Sequence, residues 1–96
     1  MTKPIALITG ASRGIGAATA RLLASSAYDI CINYHENQSA AEKVMKQVED
    51  LGSRACIIQA DISNEEDVIR MFSELSSTLG PVTHLVNNAG ILFPQS

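Results

Sequence analysis

The sequence predicts an α/β fold, the first half of a doubly wound parallel sheet with strand order 3-2-1-4. Short apolar runs of strand length alternate with longer segments whose apolar residues recur at helical spacing. The connections are short, which favours parallel strands joined by right-handed crossover helices. A turn with three glycines links the first apolar run to the first helical segment. We find no repeat or linker in the 96 residues, and we therefore expect them to belong to one domain.

The first strand and helix flank that turn. The run Ile5–Ile8 is entirely apolar, as expected for a buried strand. A helix is predicted over Gly14–Ser25, where the residues that recur at helical spacing are Ile15, Ala18, Leu22 and Leu23.

The second pair of elements follows the same alternation. A strand is predicted over Asp29–Asn33 and a helix over Gln38–Leu51. The helix carries its apolar residues on one face, which consists of Ala41, Val44, Met45 and Val48.

The last elements are a strand over Ala55–Gln59, a helix and a strand over Val82–Val86. Ser63, with Glu66 three residues later, predicts a capping box at the start of the helix. Its expected buried stripe is Val68, Met71, Phe72, Leu75 and Leu79. Because the chain crosses back over the first strand before the fourth, the third helix should lie on the face opposite the other two.

The glycine turn, residues 9–16, reads Thr-Gly-Ala-Ser-Arg-Gly-Ile-Gly. Where a strand turns into a helix, unpaired backbone N–H groups meet at the positive end of the helix dipole, and a phosphate fits there. Gly10 would permit the tight turn, Gly14 the close approach of a ligand, and Gly16 close packing of helix on strand. Three glycines alone also leave open a glycine-rich loop without a ligand.

Two further features accompany the glycine turn. The motif Asn87-Asn88-Ala89-Gly90 follows the fourth apolar run, and Asp61 follows the third. With these features and the spacing Gly-x-x-x-Gly-x-Gly, essentially the whole chain resembles the short-chain dehydrogenase/reductase family, whose sheet is of the Rossmann type. The extended relatives that act as sugar-nucleotide epimerases would need a glycine at the position of Arg13.

The resemblance implies a bound nicotinamide dinucleotide. The residues that it places at the cofactor are Gly10, Ser12, Arg13, Gly14, Ile15, Gly16, Asn33, Tyr34, His35, Asp61, Ile62, Asn88, Ala89 and Gly90. NADP(H) is the expected cofactor, because the second strand ends in neutral Asn33 and because family members place a basic residue facing the 2′-phosphate where Arg13 lies. Glu36 keeps NAD(H) possible, since an acid near this strand end could bond the ribose 2′-hydroxyl.

Three of these residues have a second interpretation. Asp61 is implied to contact the adenine, but Asp is also common in turns. Asn88 could serve the backbone of a sharp bend as well as the cofactor. His35 could be a solvated loop residue or a ligand of the 2′-phosphate.

The catalytic motif of the family, Tyr-x-x-x-Lys preceded by a Ser, does not occur in these residues. Tyr28 is followed four places later by Ile32, and Tyr34 by Gln38. We therefore assign no catalytic residue. The resemblance still implies an oxidoreductase that interconverts a carbonyl and an alcohol, most similar in pattern to 3-oxoacyl-carrier-protein reductases and glucose-dehydrogenase-like members. A non-catalytic module that binds or senses NADP(H) is the alternative.

Composition excludes other classes of function. The net charge of −3 and the scattered Lys and Arg residues predict neither a nucleic-acid nor a membrane-surface partner. No apolar run approaches the roughly 20 residues of a membrane span, and no signal-peptide pattern occurs at the start. Cys31 and Cys56 lie in apolar runs without metal-ligand spacing, so we expect reduced buried thiols, no metal site and a cytoplasmic protein.

One face of the predicted sheet has a single helix, and the fourth strand forms an apolar edge. Parallel sheets are covered on both faces, and the family continues into further strands and helices. We therefore expect residues 1–96 to be the N-terminal cofactor-binding part of a single domain. Its expected partners are the remainder of its own polypeptide, a small carbonyl or alcohol substrate and, in the complete protein, further copies of itself.

Overall fold

A computed structural model describes residues 3–88, which form a four-stranded sheet and three helices in the predicted alternation. The elements are β1 (Ile5–Ile8), α1 (Gly14–Ser25), β2 (Asp29–Tyr34), α2 (Gln38–Asp50), β3 (Ala55–Gln59), α3 (Glu65–Thr78) and β4 (His84–Val86). All three strand pairs are parallel, and the strand order is β3-β2-β1-β4. The predicted fold class and strand order are confirmed.

The alternation of side chains along the strands divides the core into two layers. On one face, Ala6 and Ile8 of β1 lie in a buried cluster with residues of α1 and α2. On the other, Ile5 and Leu7 lie in a cluster with Met71 of α3. Because successive strand residues point to opposite faces, four apolar residues in β1 serve both layers. The predicted distribution of the helices is therefore confirmed.

The buried face of α1 differs from the one that the apolar pattern suggests. Ile15 and Leu22 are 75% and 67% exposed. The buried residues are Gly16, Ala17, Ala20 and Ala24. Three of these are alanines that pack in the cluster under α1 and α2, where a small side chain allows the helix to lie close to the sheet. Of the predicted apolar residues, Leu23 packs against this cluster, so hydrophobicity alone failed at Ile15 and Leu22.

The expected capping box at α3 is wrong by one residue. Asn64 is the N-cap, and its side chain accepts a hydrogen bond from the N–H of Asp67 at 3.0 Å. The Ser63 hydroxyl donates instead to the carboxylate of Asp61 at 2.7 Å. The competing carboxylate is the physical reason for the shift, because it engages both the hydroxyl and the N–H of Ser63.

The ends of two strands also differ from the prediction. β2 extends one residue further, because Tyr34 pairs with Gln59 of β3. β4 begins at His84 rather than Val82. Just before it, the Thr83 side chain accepts a hydrogen bond from the N–H of Ile5 at 2.9 Å.

β4 forms one end of the sheet in the described part of the chain, where it pairs with β1 alone. Leu85 in its centre is 57% exposed. None of the helices within residues 3–88 has the length and apolar character that crossing a membrane would require.

Candidate functional site

The backbone of Gly10 is held by two asparagine side chains from different strand ends. Its N–H donates to the Asn33 side-chain oxygen at 3.1 Å. Its carbonyl accepts from the Asn88 side-chain nitrogen at 3.1 Å. The first bond joins the glycine turn to the end of β2, and the second joins it to the segment after β4. The position of the turn is thus fixed by the sheet beneath it.

The side chains of Asn33 and Tyr34 are buried near the end of β2. Asn33 is 2% exposed, and its side-chain nitrogen donates to the carbonyls of Ile58 and Ala60 at 3.3 and 3.2 Å. Tyr34 is 8% exposed and packs in the core cluster beneath α1 and α2. Burial withdraws both side chains from a ligand above the strand ends. The structure gives Asn33 a supporting position under the turn.

The amino terminus of α1 lacks the capping seen at the other two helices. Its N-cap residue, Arg13, makes no capping hydrogen bond with its side chain, and its first turn carries no acid. By contrast, Asn37 caps α2 and Asn64 caps α3, which also has three acids in its first turn. The first N–H groups of a helix need partners and carry the positive end of its dipole. At α1 these groups are available to an anion.

Two glycines of the turn have distinct structural tasks. Gly14 has φ +63°, and a Cβ built on it meets no atom of residues 3–88 within 4 Å, so space lies open beside the start of α1 in this part of the chain. A Cβ on Gly16 would lie 2.5 Å from the carbonyl oxygen of Gly10 and 2.8 Å from the Asn88 side-chain nitrogen. Gly16 thus permits close packing of α1 against the turn itself and against Asn88, where the sequence suggested packing against the strand.

A cleft of about 550 Å³ opens beside the glycine turn. It is lined by Gly10, Ser12, Arg13, His35, Glu36 and Asn37. Within residues 3–88, the Arg13 side chain has no hydrogen bond or ion pair, and its residue is exposed. Glu36 is also exposed and lines the same cleft. A cation and an acid thus face one cavity without neutralising each other through a direct ion pair.

His35 and Asp61 lie at the ends of neighbouring strands. His35 Nε2 is 3.9 Å from Asp61 Oδ2, and both side chains are substantially exposed. Asp61 Oδ1 accepts hydrogen bonds from the hydroxyl and the N–H of Ser63. These bonds, with a smaller contribution from His35, lower the pKa of Asp61 below its ordinary value. The carboxylate is therefore kept ionised at the edge of the site.

Comparison with known proteins places this geometry in a family. A family model described as short chain dehydrogenase matches residues 4–96. The chain belongs to the short chain dehydrogenase family. It is 50% identical over 91 residues to the uncharacterized oxidoreductase YgfF of Escherichia coli, which covers 95% of this chain and 37% of that protein. It is 42% identical over 86 residues to 3-oxoacyl-(acyl-carrier-protein) reductase FabG of Staphylococcus epidermidis, which covers 90% of this chain and 35% of that one.

A solved structure agrees with both relatives. Acetoin dehydrogenase from Enterobacter cloacae matches with a TM-score of 0.86 and 34% sequence identity, over 97% of this chain and 36% of that one. The resemblance to the short-chain dehydrogenase/reductase family is thereby confirmed. The chain spans little more than a third of the length of the curated relatives it matches.

Two other predicted site residues of this short chain dehydrogenase segment, Ile15 and Ile62, lie in the described part of the chain. Ile15 lies on the first turn of α1, and its side chain is exposed. An apolar side chain offers a phosphate no hydrogen bond, so a phosphate would contact the backbone N–H of this residue. Ile62 lines a separate small cavity of about 160 Å³ together with Thr9 and Asn87. Ala89 and Gly90 lie outside the described residues.

Sequence reasoning did not select Asn37, although it lines the cleft and caps α2. An asparagine just before a helical pattern is a typical N-cap, and that signal was present in the sequence. Glu36, which in the sequence bears only on the choice of cofactor, lines the same cleft as Arg13.

Proposed function

We propose that the protein containing this chain is an NADP(H)-preferring oxidoreductase that interconverts a carbonyl and an alcohol. In this proposal, residues 1–96 supply the cofactor-binding part of a single domain. One observation carries it: the uncapped amino terminus of α1 rises from a turn whose Gly14 has open space beside it. Such a terminus offers backbone N–H groups and a positive dipole end to a phosphate.

The residues of the turn fit a dinucleotide. The N–H groups at the start of α1 would hold the pyrophosphate, while the cleft lined by Ser12 and His35 would take the adenosine end. Asp61 and Ile62 would lie beside the adenine, and Asn88, Ala89 and Gly90 would continue the site past β4. The nicotinamide would supply the hydride, and the protein would orient it.

Arg13 supports the preference for NADP(H). Its guanidinium has no ionic partner in the described part of the chain and lines the cleft, and a guanidinium suits a phosphate by charge and by its planar set of donors. Glu36 acts in the opposite direction, because a carboxylate repels the 2′-phosphate and can bond a 2′-hydroxyl. NAD(H) is thus the second cofactor that the protein could accept.

The names of the similar proteins support the class of reaction. FabG of Staphylococcus epidermidis is a 3-oxoacyl reductase, and the Enterobacter cloacae protein is an acetoin dehydrogenase. One name denotes reduction of an oxo compound and the other dehydrogenation of acetoin, and both fit the proposed interconversion of a carbonyl and an alcohol. The rest of the polypeptide would supply a Ser, the Tyr-x-x-x-Lys motif and the substrate contacts. We further propose that the complete protein is a cytoplasmic homo-oligomer.

The test is a titration of the full-length protein with NADPH and with NADH, followed by cofactor fluorescence. Loss of a charge-assisted hydrogen bond costs about 1.5–3 kcal/mol, so Arg13→Ala should weaken NADPH binding roughly ten- to a hundredfold and leave NADH binding nearly unchanged. Lys46→Ala is the control, since Lys46 is an exposed cation on α2. Equal losses for both cofactors would refute the preference. Failure of the parent protein to bind either cofactor would refute the proposed function.

A carbonyl-reduction assay separates the enzyme from the sensing module. An enzyme should oxidise NADPH in the presence of small ketones or 3-oxoacyl thioesters. Tight binding of NADPH without turnover, in a polypeptide that has no Tyr-x-x-x-Lys motif after residue 96, would favour the non-catalytic alternative.

A further inference from the structure

Two cysteines of neighbouring strands form a directly registered pair. Cys31 of β2 is the partner of Cys56 of β3 in the parallel ladder, and both pack in the cluster beneath α3. Paired residues on adjacent strands have Cα atoms about 4.8 Å apart, which lies within the range of about 4.4–6.8 Å found for disulfides. The two thiols are thus on the same face of the sheet at a separation that a covalent bond can span.

The two thiols have different environments. Cys31 is 0% exposed, whereas Cys56 is only partly buried, on a strand that pairs with β2 alone within the described residues. The interaction between the two neighbouring thiols raises the pKa of Cys31, which burial also raises, and lowers the pKa of Cys56. A partly exposed thiol on an end strand, directly beside a buried second thiol, is the arrangement expected of an attacking and a resolving cysteine.

We propose that Cys31 and Cys56 are a redox-active thiol pair that a peroxide converts to a cross-strand disulfide. The Cys56 thiol loses its proton, the thiolate attacks one oxygen of hydrogen peroxide, the O–O bond breaks, and the leaving hydroxide takes up that proton to give water. Cys56 is thereby oxidised to the sulfenic acid. The Cys31 sulfur then attacks the Cys56 sulfur, the S–S bond forms, the S–O bond breaks, and the Cys31 proton leaves with the hydroxyl group as water. Overall, two thiols and one peroxide give one disulfide and two waters.

The disulfide would also affect the proposed cofactor site, and this second step rests on the proposed function. Cys31 precedes Asn33 by two residues on β2, so both side chains lie on the same face of the sheet. Asn33 holds the N–H of Gly10 and the carbonyls of Ile58 and Ala60 after Cys56 on β3. Disulfides most often join Cα atoms about 5.5–6 Å apart, so the S–S bond would push β2 and β3 apart at the cysteines and strain this set of hydrogen bonds. We therefore expect oxidation to weaken binding of NADPH about tenfold, equivalent to about 1.4 kcal/mol.

The first experiment tests the thiol pair without the cofactor. Full-length protein is treated with hydrogen peroxide, alkylated and digested with trypsin, which cuts the chain so that Cys31 lies in residues 22–43 and Cys56 in residues 55–70. We expect a linked peptide two hydrogens lighter than the sum of its parts, which disappears on reduction. In Cys31→Ala, dimedone should trap a sulfenic acid on Cys56, whereas Cys31 in Cys56→Ala should stay unmodified. Absence of the linked peptide, or equal reactivity of the two cysteines, would overturn the proposal.

The second experiment measures NADPH affinity before oxidation, after it, and after reduction with dithiothreitol. We expect a loss that is fully reversed by the reductant and absent in Cys31→Ala. A linked peptide with unchanged affinity would overturn the effect on the cofactor site. If the reduced protein does not bind NADPH at all, the proposed function fails, while the peptide map still decides the chemistry of the thiols.

Discussion

The backbone N–H of Gly10 donates a 3.1 Å hydrogen bond to the side-chain oxygen of Asn33. The two residues belong to different elements, because Gly10 lies in the glycine turn and Asn33 near the end of β2. Asn33 is almost fully buried and also bonds carbonyls at the end of β3. One side chain therefore connects the turn to two strand ends. This connection makes the geometry of the turn depend on the sheet rather than on its own sequence alone.

Replacing Asn33 tests that dependence. Asn33→Ala removes the partner of the Gly10 N–H and the donor to Ile58 and Ala60, and each buried polar group left unpaired costs about 1–3 kcal/mol. We expect urea denaturation of the full-length protein to show a loss of about 3 kcal/mol and weaker binding of NADPH. Gln38→Ala removes an amide that is exposed on α2 and should change stability by less than about 0.5 kcal/mol. Unchanged stability of Asn33→Ala would refute the supporting role.

The role of Gly14 can be separated from simple backbone strain. Gly14 and Gly52 both have positive φ, +63° and +98°, and a Cβ on either meets no atom of residues 3–88 within 4 Å. An alanine at each position should therefore cost a similar strain of about 1–2 kcal/mol. Only Gly14→Ala places a methyl group where the pyrophosphate would lie, so it should weaken NADPH binding at least about tenfold while Gly52→Ala leaves binding unchanged. Equal binding by both variants in calorimetry would contradict the phosphate site.

The sequence was sufficient to predict the fold because the hydrophobic periodicity and the residues typical of turns indicate the same order of strands and helices. The strand-length apolar runs, the amphipathic pattern of α2 and the glycine turn each predict the element that the structure contains. The hydrophobic pattern was insufficient at α1, where the distance between the helix and the sheet determines which face is buried. There the alanines are buried and Ile15 and Leu22 are exposed, because close approach to the sheet selects for size as well as hydrophobicity.

Less of the candidate site was available from the sequence. The glycine turn could be found from spacing, since its conformation depends on local backbone geometry, whereas the role proposed for Arg13 comes from the resemblance to the family. The tasks of Asn33 and Asn88 depend on which strand ends lie next to Gly10 in space, and no local pattern contains that information. The capping role predicted for Ser63 is wrong for a similar reason. The carboxylate of Asp61 accepts a hydrogen bond from the hydroxyl that the capping box would use.

The two hydrogen bonds from Ser63 predict a measurable effect on Asp61. The bond from the hydroxyl lowers the pKa of Asp61 most, followed by the bond from the N–H. Ser63→Ala removes the hydroxyl, so the pKa should rise toward the ordinary value of about 3.9. Carboxyl NMR titration of the full-length protein measures this directly. Ser77→Ala, whose hydroxyl bonds a carbonyl within α3, should leave the pKa unchanged, and an unshifted Asp61 in Ser63→Ala would contradict the assignment.

The sign of the accompanying pH dependence follows from the lowered pKa. A carboxyl that is more acidic in the folded state contributes stability above its unfolded pKa and loses it as the pH falls through the folded value. The Ser63 hydroxyl should therefore stabilise the parent relative to Ser63→Ala above about pH 4. The difference should shrink under more acidic conditions, and a difference that grows with falling pH would show that another group is responsible.

Residues 1–96 expressed alone should associate and lack reductase activity. β4 pairs with β1 alone within the described residues, and Leu85 on it is 57% exposed. An apolar edge strand with free backbone groups favours pairing with another chain, and the segment has no Tyr-x-x-x-Lys motif for the proposed chemistry. Light scattering after size exclusion should show species larger than the 10.2 kDa monomer. Leu85→Lys should reduce this association, because a charge on an edge strand opposes pairing, whereas Lys43→Ala on α2 should not. A monomeric parent segment that unfolds cooperatively and reduces carbonyls would show that these residues need no further polypeptide.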